Sequence, residues 1–164
     1  LKADRNKIVS EEQSLVLEKV DDFSIFKSFS CGDKDLNDCI RNDAKVHKKE
    51  LLAETYMLRL QNVNQPIAFC SLCNDLIQFS QKAKKTIIPE KKQYRYHPAV
   101  KIARIGVIKD LQSQKFGSHL IDLIKHLFVV DNRTGCRFIT VDAYNKEKVL
   151  SFYQKMGQSP AFRN

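Results

Sequence analysis

The residues best suited to chemistry in this 164-residue chain lie between Ile105 and Ser118. An apolar run, Ile105-Gly106-Val107-Ile108, gives way to the polar loop Lys109-Asp110-Leu111-Gln112-Ser113-Gln114-Lys115, and Phe116-Gly117-Ser118 then opens an amphipathic stretch. A strand that hands over to a helix in this way leaves the first helical N–H groups without intrahelical partners, at the positive end of the helix dipole. Such amides suit an anion, above all a phosphate. Gly117 removes a side chain where a ligand could come close to the backbone. On physics alone the turn is a candidate anion site, a description that fits many strand-to-helix turns. The second chemical pattern is Cys70-x-x-Cys73, which elsewhere holds zinc or performs redox work. A zinc site needs a second pair or suitably placed histidines, and Cys31, Cys39 and Cys136 are irregularly spaced. The pair also overlaps the apolar run Ile67–Leu72. Buried structural thiols in a reducing compartment, with no metal site, are therefore expected.

The elements that must position this turn follow from periodicity. Residues 1–13 are polar without a helical or strand period and are expected to fray, leaving 14–164 as the domain. Leu15-Val16-Leu17 reads as a first strand. Asp33 or Asp35 can cap a helix whose apolar face is Leu36, Cys39, Ile40 and Ala44, fading near Leu52. Thr55–Leu60 and Ile67–Leu72 read as two strands of a hairpin, joined by turn residues from Asn62 to Pro66. Asn74 to His97 is the least regular stretch, with Pro89 inside it, and is expected to mix one short helix with loop. Val100, Ile102, Ile105, Val107 and Ile108 define a strand that is buried or nearly so. Gly117, Leu120, Ile121, Ile124, Leu127 and Phe128 recur at three and four residues, an amphipathic helix. A turn from Asn132 to Gly135 precedes the strand Phe138–Val141. Val149, Phe152, Tyr153 and Met156 mark a last helix that stops at Gly157. A strand–helix–strand unit after residue 98 implies a parallel pair. The fold class is α/β: a single layered domain with a mixed central sheet flanked by helices.

Composition bounds the rest. The length fits one domain of the usual size, about 100–150 residues. No run approaches the roughly 18 apolar residues that span a bilayer. Leu1 to Gln13 lacks the apolar core of a signal peptide, so the expectation is a soluble, cytoplasmic protein with no membrane association. The net charge of +9 is unevenly spread. In the segment 82–104 eight basic residues face a single acid, Glu90, a balance that attracts phosphates or simply marks a solvated loop.

The residues from Ile105 to Ser118 resemble the acetyl-CoA motif of the GNAT superfamily, Q/R-x-x-G-x-G/A after a strand ending in a triplet like L-A-V. Ile105-Gly106-Val107 matches the triplet, Gln112 the first motif position and Gly117 the last, while Lys115 replaces the middle glycine. The likeness continues outside the loop. Phe29-Ser30-Cys31-Gly32, followed by Leu36-Asn37, is similar to the entry to the first helix in a GNAT branch that includes toxins. Thr55-Tyr56, His97-Pro98-Ala99-Val100 and the run from Asn145 to Gly157 fit the same branch, so residues 15–157 are covered.

The resemblance implies an acetyl-CoA-dependent N-acetyltransferase that moves acetyl directly to a primary amine. It implies that Ile105, Gly106 and Val107 line the pantetheine arm, with the Val107 backbone facing the acetyl group. Backbone amides of Ser113, Gln114, Lys115, Phe116, Gly117 and Ser118 would cradle the pyrophosphate. Asn145 matches a position that contacts the coenzyme arm, and could equally cap the last helix. Tyr153 matches the tyrosine that protonates the departing thiolate, a role that suits a phenol; packing against the core would give it the same spacing. No acid stands on the motif strand as general base. Glu90, His97 and Asp142 could act only through water, and His97 is better read as a turn or packing residue. An amine of lowered pKa needs no strong base, so the base stays open. The acceptor is open among a small molecule, a protein amine and aminoacyl-tRNA, whose backbone the segment 82–104 would suit. A catalytically silent coenzyme-binding module is the alternative. GNAT domains close with a long hairpin, and too few residues follow Gly157 for one. A short or incomplete hairpin is expected, with a homodimer as one way to cover the edge.

Overall fold

The computed structural model describes residues 14–80, 87, 94–130 and 135–157. The expected frayed N-terminus, most of the turn from Asn132, most of the basic insert and the closing hairpin lie outside the described residues.

Five strands form one sheet in the order β1 (Leu15–Lys19), β2 (Glu54–Leu60), β3 (Ala68–Ile77), β4 (His97–Val107) and β5 (Phe138–Val141). The first four are antiparallel neighbours, and β4 and β5 are parallel. The mixed sheet and the β2–β3 hairpin thus match expectation. β3 does not stop at Leu72, however. It continues to Ile77, paired with a β4 that already begins at His97. Residues 73–77 alternate between half-buried and exposed positions, so this part of the strand carries no apolar run to announce it. His97 is correspondingly a buried strand residue, 4% exposed, and not part of a turn.

Alternation of side chains divides β3 between two cores. Ala68, Cys70 and Leu72 face a cluster built with α3 (Phe116–Val130) and α4 (Glu147–Lys155), including Leu120, Ile121, Ile124 and Tyr153. Phe69 faces the other cluster, with Phe26, Phe29, Ile40 and Met57. The rings of Phe26, Phe29 and Phe69 meet edge to face. Cys70 and Cys73, three apart on one strand, therefore point to opposite faces. Cys70 is fully buried and Cys73 half-buried, and both are free thiols.

The second cluster is roofed by a helical run in three pieces: α1 (Lys34–Asp38), a π turn (Cys39–Asp43) and α2 (Ala44–Lys49). Asp33 caps α1 by accepting the Leu36 N–H at 3.1 Å. No helix among the described residues is long and apolar enough to cross a membrane.

Candidate functional site

The site begins with an irregularity in β4. Leu72 pairs with Ile102 and Ser71 with Arg104, so Ala103 is one residue too many. Such a bulge bends the strand and sharpens its twist. The Ala103 carbonyl is taken by Arg104 itself, whose Nη1 donates to it at 2.9 Å. The pairing of β4 with β5 ends at the same place, on Ile102 and Val141. From Ala103 to Val107, β4 has a strand neighbour only on its β3 side. The Ile108 N–H donates to Ile67 O at 2.8 Å, toward β3. Alternation then turns the backbone groups of Ile105 and Val107 to the open edge. An extended ligand arm could pair there as an added strand does.

That open edge runs into the loop singled out from sequence. Gln112 lashes the loop down: its Nε2 donates to Cys31 O at 2.7 Å and to Val107 O at 3.1 Å. The side chain is thus a brace between the strand end and the turn before α1. Ser113 and Lys115 both have φ of 66°. Left-handed residues alternating with ordinary ones form the concave backbone that collects N–H groups around anions. Lys115, in the place of the motif's middle glycine, keeps a glycine-like conformation, a strain of roughly 1–2 kcal/mol for a residue with a Cβ. Its carbonyl accepts the His119 N–H at 3.0 Å, so the helix starts there. The amides of Phe116, Gly117 and Ser118 are the first-turn donors that helix geometry leaves free. Ser113, Gln114 and Lys115 are exposed, whereas the Phe116 ring is buried and can offer a ligand only its backbone.

Both motif glycines have a packing reason that the sequence did not reveal. A Cβ on Gly106 would sit 2.7 Å from Cε1 of Phe69, and one on Gly117 would sit 3.3 Å from Cζ of Phe152. The space at Gly117 is filled by Phe152 and Val107, so its bareness lets α3 seat against α4 and the strand end.

Tyr153 lies in the core shared by β3, β4 and α3, 8% exposed, its ring edge-on to Phe152 at 5.1 Å. Burial pushes its hydroxyl up to a pKa of about 12. Asn145 is exposed and does not cap α4. The cap position falls on Lys146, which makes no side-chain cap bond. Asn145 thus stands one residue too early for the bond.

The opposite face of the parted strands pairs polar groups whose contacts the sequence did not reveal. Arg104 Nε lies 3.9 Å from Asp35 Oδ2, and the Tyr144 hydroxyl donates to the same oxygen at 3.3 Å. The nearby carboxylate raises the Tyr144 pKa. Lys101 Nζ meets Asp142 Oδ2 at 2.8 Å. Tyr144–Asp35 spans from the segment after β5 to α1, a link across 109 residues that no local pattern encodes. No group of three or more metal-binding side chains occurs among the described residues.

No family model matches the chain, and no curated protein does. Solved structures do. A tyrosine-to-phenylalanine mutant of KacT superposes with a TM-score of 0.71 at 21% identity, over 88% of this chain and 86% of that one. AtaT complexed with acetyl-methionyl-tRNAfMet gives 0.70 at 21% identity, over 88% and 86%. AtaTR bound with AcCoA gives 0.68 at 21% identity, over 91% and 87%. The chain has the fold of these proteins, the GNAT fold.

Proposed function

We propose that this protein is an acetyl-CoA-dependent N-acetyltransferase acting directly on a primary amine, with aminoacyl-tRNA as the acceptor class. The observation that carries the reading is the β4 edge freed at Ala103, running into a loop with left-handed residues at 113 and 115 and then into the start of α3. A coenzyme with an amide-bearing arm and a pyrophosphate matches that sequence of features. In this reading the backbone of Ile105 and the Val107 N–H pair with the arm, the Val107 carbonyl being held by Gln112, and the amides from Ser113 to Ser118 hold the pyrophosphate. Gln112 keeps the loop in shape, and Lys115 adds its ammonium to the backbone donors. Gly106 and Gly117 act by letting the strand and α3 close up. Asn145, exposed in the segment after β5, is assigned to the coenzyme arm in this reading.

The amine attacks the thioester carbon, the carbon–sulfur bond breaks, and Tyr153 gives its proton to the sulfur. A phenol kept protonated by burial suits an acid and not a base. No acyl-enzyme is formed. The acceptor class is supported by the structural neighbour that holds an acetylated aminoacyl-tRNA and by the excess of positive charge. Of the described basic residues in 82–104, Arg95 lies against the Tyr96 ring at 5.2 Å. Lys101 is engaged by Asp142, and Arg104 stands beside Asp35. Acetyl-CoA and charged tRNA meet in the cytoplasm, which is where this reading puts the protein.

Calorimetry with acetyl-CoA, followed by turnover on total aminoacylated tRNA, a lysine peptide and spermidine, tests the reading. Binding with transfer to charged tRNA is expected, with Tyr153→Phe losing about 10²–10⁴-fold in kcat. A second reading, a silent coenzyme-binding module, draws on the packing of Tyr153, whose hydroxyl meets no partner among the described residues. It requires binding without turnover on any of the three amines.

A further inference from the structure

We propose that Asp142 accepts the proton released by the attacking amine, and that Lys101 positions it. The inference rests on the acetyltransferase reading above. Cys73, Lys101 and Thr140 stand in register on β3, β4 and β5, on the sheet face that carries Phe69 and Ser71 and lies opposite α3. Lys101 is held low on that face, its side chain 18% exposed, and its ammonium reaches Asp142 Oδ2 at 2.8 Å. Val141 is the last β5 residue paired with β4, so Asp142 is the first residue past the point of parting. Its side chain is 64% exposed, and Oδ1 has no hydrogen-bond partner among the described residues. The result is a carboxylate fixed by one oxygen, with the other open at the mouth of the gap. Neighbouring acids are otherwise placed: Asp75 binds the Thr140 hydroxyl at 2.6 Å, and Asp35 belongs to α1 and takes the Tyr144 hydroxyl.

The chemistry balances. The amine nitrogen bonds to the acetyl carbon, the carbon–sulfur bond breaks, and sulfur takes the Tyr153 proton. The surplus proton on nitrogen goes to Asp142 Oδ1, and water then returns a proton to Tyr153 and removes one from Asp142. A nitrogen already bonding to a carbonyl carbon is much more acidic than a free ammonium, so it gives up its proton readily to a positioned acceptor.

The test uses the full chain with acetyl-CoA and total aminoacylated tRNA. Asp142→Asn should lower kcat about 10²-fold or more, with the acetyl-CoA Kd from calorimetry and the melting temperature unchanged. Asp142→Ala should regain rate with added formate, and Lys101→Met should lower kcat about tenfold without moving KM for acetyl-CoA. Formate rescue is the signature that a merely structural role would not give. Wild-type turnover with Asp142→Asn within threefold of it, or a slow Asp142→Ala that formate leaves unchanged, overturns this assignment alone. A wild type that transfers nothing to charged tRNA overturns the acceptor reading and this inference with it.

Discussion

Tyr153 is packed in the core, and the proposed reading asks the same phenol to act as an acid. Its pKa is about 12 in the folded chain against an ordinary 10. A raised pKa means that the folded state favours the protonated form. That contribution is complete below pH 10 and is lost as pH rises toward 12. Thermal melts should therefore show stability falling between about pH 10 and 12, and Tyr153→Phe should flatten that fall while leaving the melting temperature at neutral pH nearly unchanged. Lys115 shows where residue types misinform. The sequence registers it as a departure from a glycine, yet its φ of 66° is what a glycine would supply. Backbone conformation is set here by the strand end, the Gln112 brace and the helix start together, and no single letter records that.

At the scale of elements, Gly106 joins two layers. Its missing Cβ lets β4 lie against the Phe69 ring, itself wedged between Phe26 and Phe29. Gly106→Ala should destabilise the fold by about 1–3 kcal/mol, since the ring has no free direction in which to move. A lowered midpoint in urea at unchanged slope would check this. The long helices and the buried strands were legible because each has a single period. Leu120, Ile121 and Ile124 on α3 all turn out buried. The second half of β3 was not legible, because Asn74, Asp75 and Leu76 belong to a half-covered strand whose order comes from pairing with 97–101. The loop from Gln112 to Lys115 was legible as a motif. The Tyr144–Asp35–Arg104 contact was not, since it joins three elements far apart in sequence.

For the molecule as a whole, charge and an asymmetric sheet matter together. With a net charge of +9, association with a polyanion should be steered by long-range attraction and weakened by salt. Titration with tRNA at 50 and 200 mM salt should show affinity falling by about 10³-fold or more if six or so phosphates are neutralised. A flat response would remove tRNA from the list of partners. The gap lies beside β4, the last of the four antiparallel strands, where its pairing with β5 ends.

The surplus residue at position 103 carries a consequence of its own. Excising Ala103 would leave every side chain of β4 opposite its present partner on β3, so the core should survive intact. What would vanish is the bend, and a straightened β4 could go on zipping to the chain beyond Val141. The shortened protein is expected to melt normally and to be deaf to acetyl-CoA in calorimetry, a fold kept whole with its doorway sewn shut.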